Sequence, residues 1–223
     1  MKNHFDKLST FHGMVIISLF LITVFITGSG VSCQSQTPAS APPTPSPGLP
    51  KEPTSGESNS QMLASWSADG VIGSREYLSE MTYDGYELYW VNDSEFAYVA
   101  MKAKTDGWVA LGIQPGSRMK GADMIFGFVE DGEVNVLDSF STDDFGSHPP
   151  DTELGGTFDI ISFGGKEADG YTIIEFKRAL DTGDQQDNKL SIGKNQIIWA
   201  YGSADALTPK HANRGYGEIT ITG

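Results

Sequence analysis

The chain has 223 residues, a formal net charge of −14 and a single cysteine, Cys33. Beyond Cys33 it carries 13 basic against 28 acidic groups, a balance that repels phosphate backbones and anionic lipid. Nucleic acid is therefore a poor partner class, and the folded part is not expected to dock on a membrane by itself. One cysteine permits no intrachain disulfide and no cysteine-ligated metal cluster, which leaves stability to an apolar core, a bound cofactor or both.

Residues 1–13 hold Lys2 and Lys7, and residues 14–27 form an apolar run broken only by Ser18, Thr23 and Thr27. This is the length and texture of the apolar region of a secretory signal, short for a spanning helix. Small residues come next, then Cys33, as in a lipobox, where the cysteine becomes the lipidated first residue of the mature chain. Gly30 departs from the aliphatic residue usual at that place. The competing reading is an uncleaved anchor, since the run extended to Val31 reaches about 18 residues. Both readings put the remainder of the chain outside the cytoplasm and tether it to the membrane through the N-terminus only.

Residues 34–60 are dominated by Pro, Ser and Thr and lack apolar periodicity, so a disordered, extended tether is expected there. From residue 61 to 223 short runs rich in Val, Ile, Tyr, Phe and Trp alternate with turn residues. The pattern predicts strands at 62–66, 85–91, 96–103, 108–113, 123–130, 133–140, 157–163, 171–178, 196–201 and 215–221. Asp69-Gly70, Asp84-Gly85, Asp106-Gly107, Asp131-Gly132 and Asp169-Gly170 punctuate them, and Asp131-Gly132 between two apolar runs is the clearest hairpin signal. About ten short strands with tight turns mean a mostly β fold, a sandwich or barrel.

Chemistry-bearing residues are few. The folded part holds two histidines, His148 and His211, and neither a nucleophile elbow nor a phosphate-binding glycine loop. No catalytic constellation emerges, and the expectation is a module that is not an enzyme. The carboxylates of Asp181, Asp184 and Asp187 could reach calcium, but an acidic turn on an acidic protein is usually only solvated, and that reading is preferred. Asp143, Asp144, His148, Asp151 and Glu153 share a loop with Pro149-Pro150; their spacing matches no ligand pattern, so an irregular surface loop is expected. Met119 and His211 each sit in a polar loop just before a strand, where neither is placed for core packing. Thioether and imidazole together can hold iron from two sides, although two unrelated side chains is the blander alternative.

The run Gly107-Trp108-Val109-Ala110-Leu111-Gly112-Ile113, then Met119-Lys120-Gly121-Ala122-Asp123-Met124, then Val136-Leu137-Asp138 resembles the DOMON domain. The second half agrees, with Ile174-Glu175-Phe176-Lys177-Arg178, Ile198-Trp199-Ala200-Tyr201-Gly202, and His211 shortly before Arg214-Gly215. The resemblance implies an immunoglobulin-like β-sandwich with a ligand pocket at one end. In its haem-binding members, such as the cytochrome domain of cellobiose dehydrogenase, one Met and one His ligate haem b, and they map onto Met119 and His211. Lys210 is a fallback ligand on the same grounds. Arg118, Lys120, Lys210 and Arg214 flank the pair and are candidates for the haem propionates, against the plainer role of keeping two loops soluble. The implied function is one-electron transfer with a separate redox partner protein; the alternative is a haem-free module that binds carbohydrate, another small molecule or protein. Strict alternation of the strands would put the two ligand loops at opposite ends of the sandwich, unless a crossover or a further strand near 190–192 intervenes. Trp108 and Trp199, both in strands, are expected in the core.

Overall fold

The computed structural model describes residues 62–208 and 210–223; the export signal, Cys33 and the linker lie outside them. Ten strands form two five-stranded sheets in which every neighbouring pair is antiparallel. In chain order they are β1 (Ser79–Tyr83), β2 (Tyr86–Asn92), β3 (Phe96–Ala103), β4 (Val109–Ile113), β5 (Asp123–Glu130), β6 (Glu133–Phe140), β7 (Ile160–Ala168), β8 (Tyr171–Ala179), β9 (Gly193–Tyr201) and β10 (Asn213–Ile221). The first sheet runs β1-β2-β3-β8-β7 and the second β10-β9-β4-β5-β6. The chain changes sheet after β3, β6 and β8, which makes a sandwich and no closed barrel.

Period-two alternation builds the core. Leu88, Val99, Met101, Ile174 and Phe176 of the first sheet meet Val109, Leu111, Ile125, Ile197 and Ile219 of the second. Trp199 stacks against Tyr83 and Tyr86, with centroids 4.9 and 5.2 Å away. Glycine is required opposite this stack. A Cβ on Gly215 would lie 2.5 Å from the Trp199 ring, and one on Gly217 would lie 2.0 Å from the Tyr83 hydroxyl.

Turn chemistry sets the hairpins. Asp131 and Gly132, and likewise Asp169 and Gly170, both take positive φ, the conformation that a two-residue turn needs to match strand twist. Two sequence expectations fail. Residues 62–65 form a single helical turn, not a strand, because five residues with mixed apolar positions fit either period. The tenth strand is instead β1, a polar edge strand joined to β2 across Asp84-Gly85. No strand occupies 190–192; β9 begins at Gly193.

The segment before β1 is held on the outside of the first sheet by one carboxylate. Glu175 accepts hydrogen bonds from the Asp69 and Gly70 amides and from the Tyr77 hydroxyl, which in turn accepts one from the Trp66 indole. Burial raises the Glu175 carboxyl above its usual range, while these donors pull it back down.

Candidate functional site

The centre of the second sheet is apolar on both faces. Strand β4 is buried at every position, an arrangement that an antiparallel sheet with a solvated outer face does not give. Its outward residues join Met124, Phe126, Ile198 and Trp108 in a second apolar cluster, with Met119 and Ala200 packed at its margin. Gly112 keeps this layer thin, since a Cβ there would lie 2.5 Å from both Ile198 Cγ1 and Met124 Sδ. Trp199 is in the core as expected, but Trp108 belongs to this outer layer.

Above the layer lies a cleft of about 780 Å³, lined by Trp108, Met119, Phe126, His148, His211 and Arg214 among others, which continues into an apolar recess over Met124, Ile198 and Ala200. Such a volume suits a cofactor-sized ligand. The cleft lies across the outer face of a sheet, not at one end of the sandwich.

Met119 comes from the β4–β5 loop. Backbone bonds from Gly116 N to Lys120 O, Lys120 N to Ser117 O and Ala122 N to Met119 O wind this loop tightly, with Arg118 and Gly121 at positive φ. Asn188 pins its base by donating to the carbonyls of Ile113 and Gly121. His211 comes from the β9–β10 loop, which is fastened to the segment before β4 by Trp108 N to Ala204 O and Gly202 N to Trp108 O, and closed by Ala212 N to Tyr201 O. Because Ile113 pairs with Ile197 and Val109 with Tyr201, these loops do emerge at opposite ends of the sheet. Each folds inward over the same face, and so Met119 and His211 line one cleft. Both are half-buried.

A third donor was not expected there. His148 lines the same cleft, stacked on Phe126 at 5.6 Å and 28°. Its Nδ1 is buried without a hydrogen-bond partner. The chain after it returns to β6 through Phe140 N to Pro149 O and a bridge between Ser139 and Pro150. Its loop is thus not simply a surface excursion. The sequence signal was slight: an imidazole directly before Pro149-Pro150, with nothing to show that Phe126 would receive it. Burial lowers the His148 pKa and the nearby His211 lowers it further; burial, Arg214 and Lys210 lower that of His211. Both imidazoles are held toward the neutral form, the form that can donate a nitrogen lone pair.

The four candidate cations divide. Lys210 and Arg214 line the cleft, with Arg214 paired to Ala200 on the outward face. The Arg118 guanidinium lies 4.7 Å from the centroid of exposed Phe145, which itself borders the cleft. Lys120 is exposed and does not line the cleft.

A separate buried polar network sits at the base of the Met119 loop. Arg178, 1% exposed, spans the sheets to bind Asp123 and reaches Asp187 at 3.5 Å. Oxygens of Asp123, Asp138 and Asp187 all lie within 4.8 Å of one another, and Asp151, fully buried beside them, has both carboxylate oxygens without hydrogen-bond partners. Burial pushes Asp123 to about 6, against the pull of Arg178. It pushes Asp138 to about 7 and Asp151 to about 8, helped for Asp151 by the neighbouring acids. Of the acidic turn read from the sequence, Asp187 enters this network, whereas Asp181 pairs with Lys189 and Asp184 caps Thr157 and Gln186 at the surface.

A family model, the DOMON domain, matches residues 82–202, an interval that takes in β2 to β9 and Met119. The chain belongs to the DOMON domain family. It is similar to MOXD1 homolog 1 of Drosophila melanogaster, at 29% identity over 70% of this chain and 23% of the relative. To DBH-like monooxygenase protein 1 of Mus musculus it is 30% identical over 54% of this chain and 19% of that protein. It thus spans less than a quarter of the length of these relatives. Among solved structures, the cytochrome domain of Myriococcum thermophilum cellobiose dehydrogenase covers 61% of this chain and 75% of its own at TM-score 0.44 and 13% identity.

Proposed function

We propose that this DOMON domain binds a b-type haem in the cleft on the outer face of its second sheet and passes single electrons. The observation that carries this reading is the delivery of Met119 and His211 to one apolar cleft by loops from opposite ends of the sheet. The residues suit the group. Trp108, Met124, Phe126 and Ile198 offer an apolar bed, Met119 and His211 would hold the iron, and Lys210 and Arg214 line the same cleft and would pair with the propionates. Haem supplies the one-electron couple. Met119 and His211 would hold the iron, leaving no open position for a substrate, and on this reading the domain carries electrons and is not an enzyme. The haem reading is preferred over a carbohydrate-binding one because a soft thioether and an imidazole, Met119 and His211, line the same cleft, and sugar recognition calls for neither as a pair.

On this reading the N-terminal segment exports the chain, and Cys33 or the apolar run ahead of it tethers the domain outside the cytoplasm, where it meets a redox partner protein. The test is the absorption spectrum of the purified, dithionite-reduced chain supplied with haem. A sharp Soret and α-band with one haem per chain is the expected result; no haem retained after gel filtration would end the proposal.

A further inference from the structure

The cleft carries three side chains able to ligate iron, and haem has two axial positions. Met119 and His148 come from the same end of the sheet. Their loops, β4–β5 and the one after β6, are bonded to each other by Gly121 N to Ser141 O at 2.7 Å, Ser141 N to Ala122 O at 2.9 Å and Ser117 Oγ to Asp144 Oδ2 at 3.3 Å, and the Arg118 guanidinium stacks on Phe145. Both side chains lean on the apolar layer around Phe126. His211 arrives from the other end of the sheet, on a loop fastened to Trp108 and Ala204. Met119 and His148 would thus compete for one position on the iron, and His211 would hold the other. Among the described residues nothing engages the buried Nδ1 of His148, and the ring stacks on Phe126 where it lines the cleft.

We propose, building on the haem reading above, that His148 is an alternative axial ligand that replaces Met119 when the iron is ferric. Thioether sulfur favours ferrous iron, and imidazole nitrogen holds ferric iron better. When a one-electron acceptor oxidises the iron, Met119 would release it and the neutral imidazole of His148 would take its place. On reduction by a one-electron donor the exchange reverses. Both ligands donate a lone pair, so no proton moves. Gly146, at φ 129° with open space around it, lies two residues before His148 and allows the loop to adjust. The consequence is a site whose potential depends on which donor is bound, and whose electron transfer is gated by a loop.

The experiment uses the full chain loaded with haem b, and compares wild type, Met119→Leu, His148→Ala and the double variant by absorption and magnetic circular dichroism, ferric and then reduced with dithionite. Ferric wild type should lack the weak long-wavelength band of sulfur ligation and show bis-imidazole ligation. His148→Ala should gain that sulfur band, Met119→Leu should stay low-spin in both states, and only the double variant should turn high-spin when ferric. Ferric wild type and His148→Ala spectra that coincide, or a Met119→Leu variant that turns high-spin when ferric, would overturn the role of His148 and leave the haem reading standing. Failure of wild type to retain haem would remove both.

Discussion

Met119 and His211 hang from loops at opposite ends of one sheet, yet both line the cleft that lies on its outer surface. The sheet between them acts as a fixed spacer: β4 is paired on both sides, to β5 and β9, and buried on both faces. The two ends from which these loops spring are thus held apart by backbone hydrogen bonding.

Arg178 is the single cation among four buried carboxylates, and its removal should be costly. Arg178→Met is expected to destabilise the domain by about 3–5 kcal/mol, the range for stripping the partner from buried charge, measured by chemical denaturation. Asp123→Asn in the same chain should recover part of that loss, because it removes one of the charges left unpaired. A loss below about 1 kcal/mol for Arg178→Met would mean that the network does not need its cation.

The same network predicts an unusual pH dependence. Asp123, Asp138 and Asp151 have folded-state values of about 6, 7 and 8, all above the unfolded carboxylate near about 3.9. The folded state therefore binds more protons across this interval, and stability should fall as pH rises from about 4 to about 8. Denaturation midpoints should be higher at about pH 5 than at about pH 8, and Asp151→Asn should flatten the difference. A midpoint that climbs toward pH 8 would contradict this sign.

Lys210 and Arg214 should matter to haem retention more than to folding. Changing both to Gln is expected to speed haem loss to apomyoglobin by roughly a hundredfold, about 1.5 kcal/mol for a charge-assisted hydrogen bond to each propionate, with the melting temperature of the haem-free chain unmoved. Lys120→Gln, outside the cleft, serves as the control and should change neither.

Much of the fold was legible because strand period and turn chemistry agreed. β3, β5 and β6 begin and end where alternation does, and the Asp-Gly pairs at 131–132 and 169–170 are the residues that positive φ demands. β1 was hidden by its own polarity: Ser79, Glu80 and Thr82 on an edge strand carry little apolar signal. The place of the site was harder to read. The alternation of loops correctly puts Met119 and His211 at opposite ends, but an end-on pocket does not result from it. The clue was the unbroken apolar run of β4, which meant that the outer face of its sheet was covered. His148 and the burial of Arg178 had no local signature, since each depends on a partner far away in the chain, Phe126 for the one and Asp123 for the other.

The central claim is that His211 holds the iron of a haem seated on this face, and the most direct measurement is the spin state of the reduced, haem-loaded chain with and without that imidazole. Wild type should be six-coordinate and low-spin, and His211→Ala should become high-spin with haem lost in gel filtration, regained when free imidazole is added. A low-spin spectrum identical to wild type in His211→Ala would contradict the account.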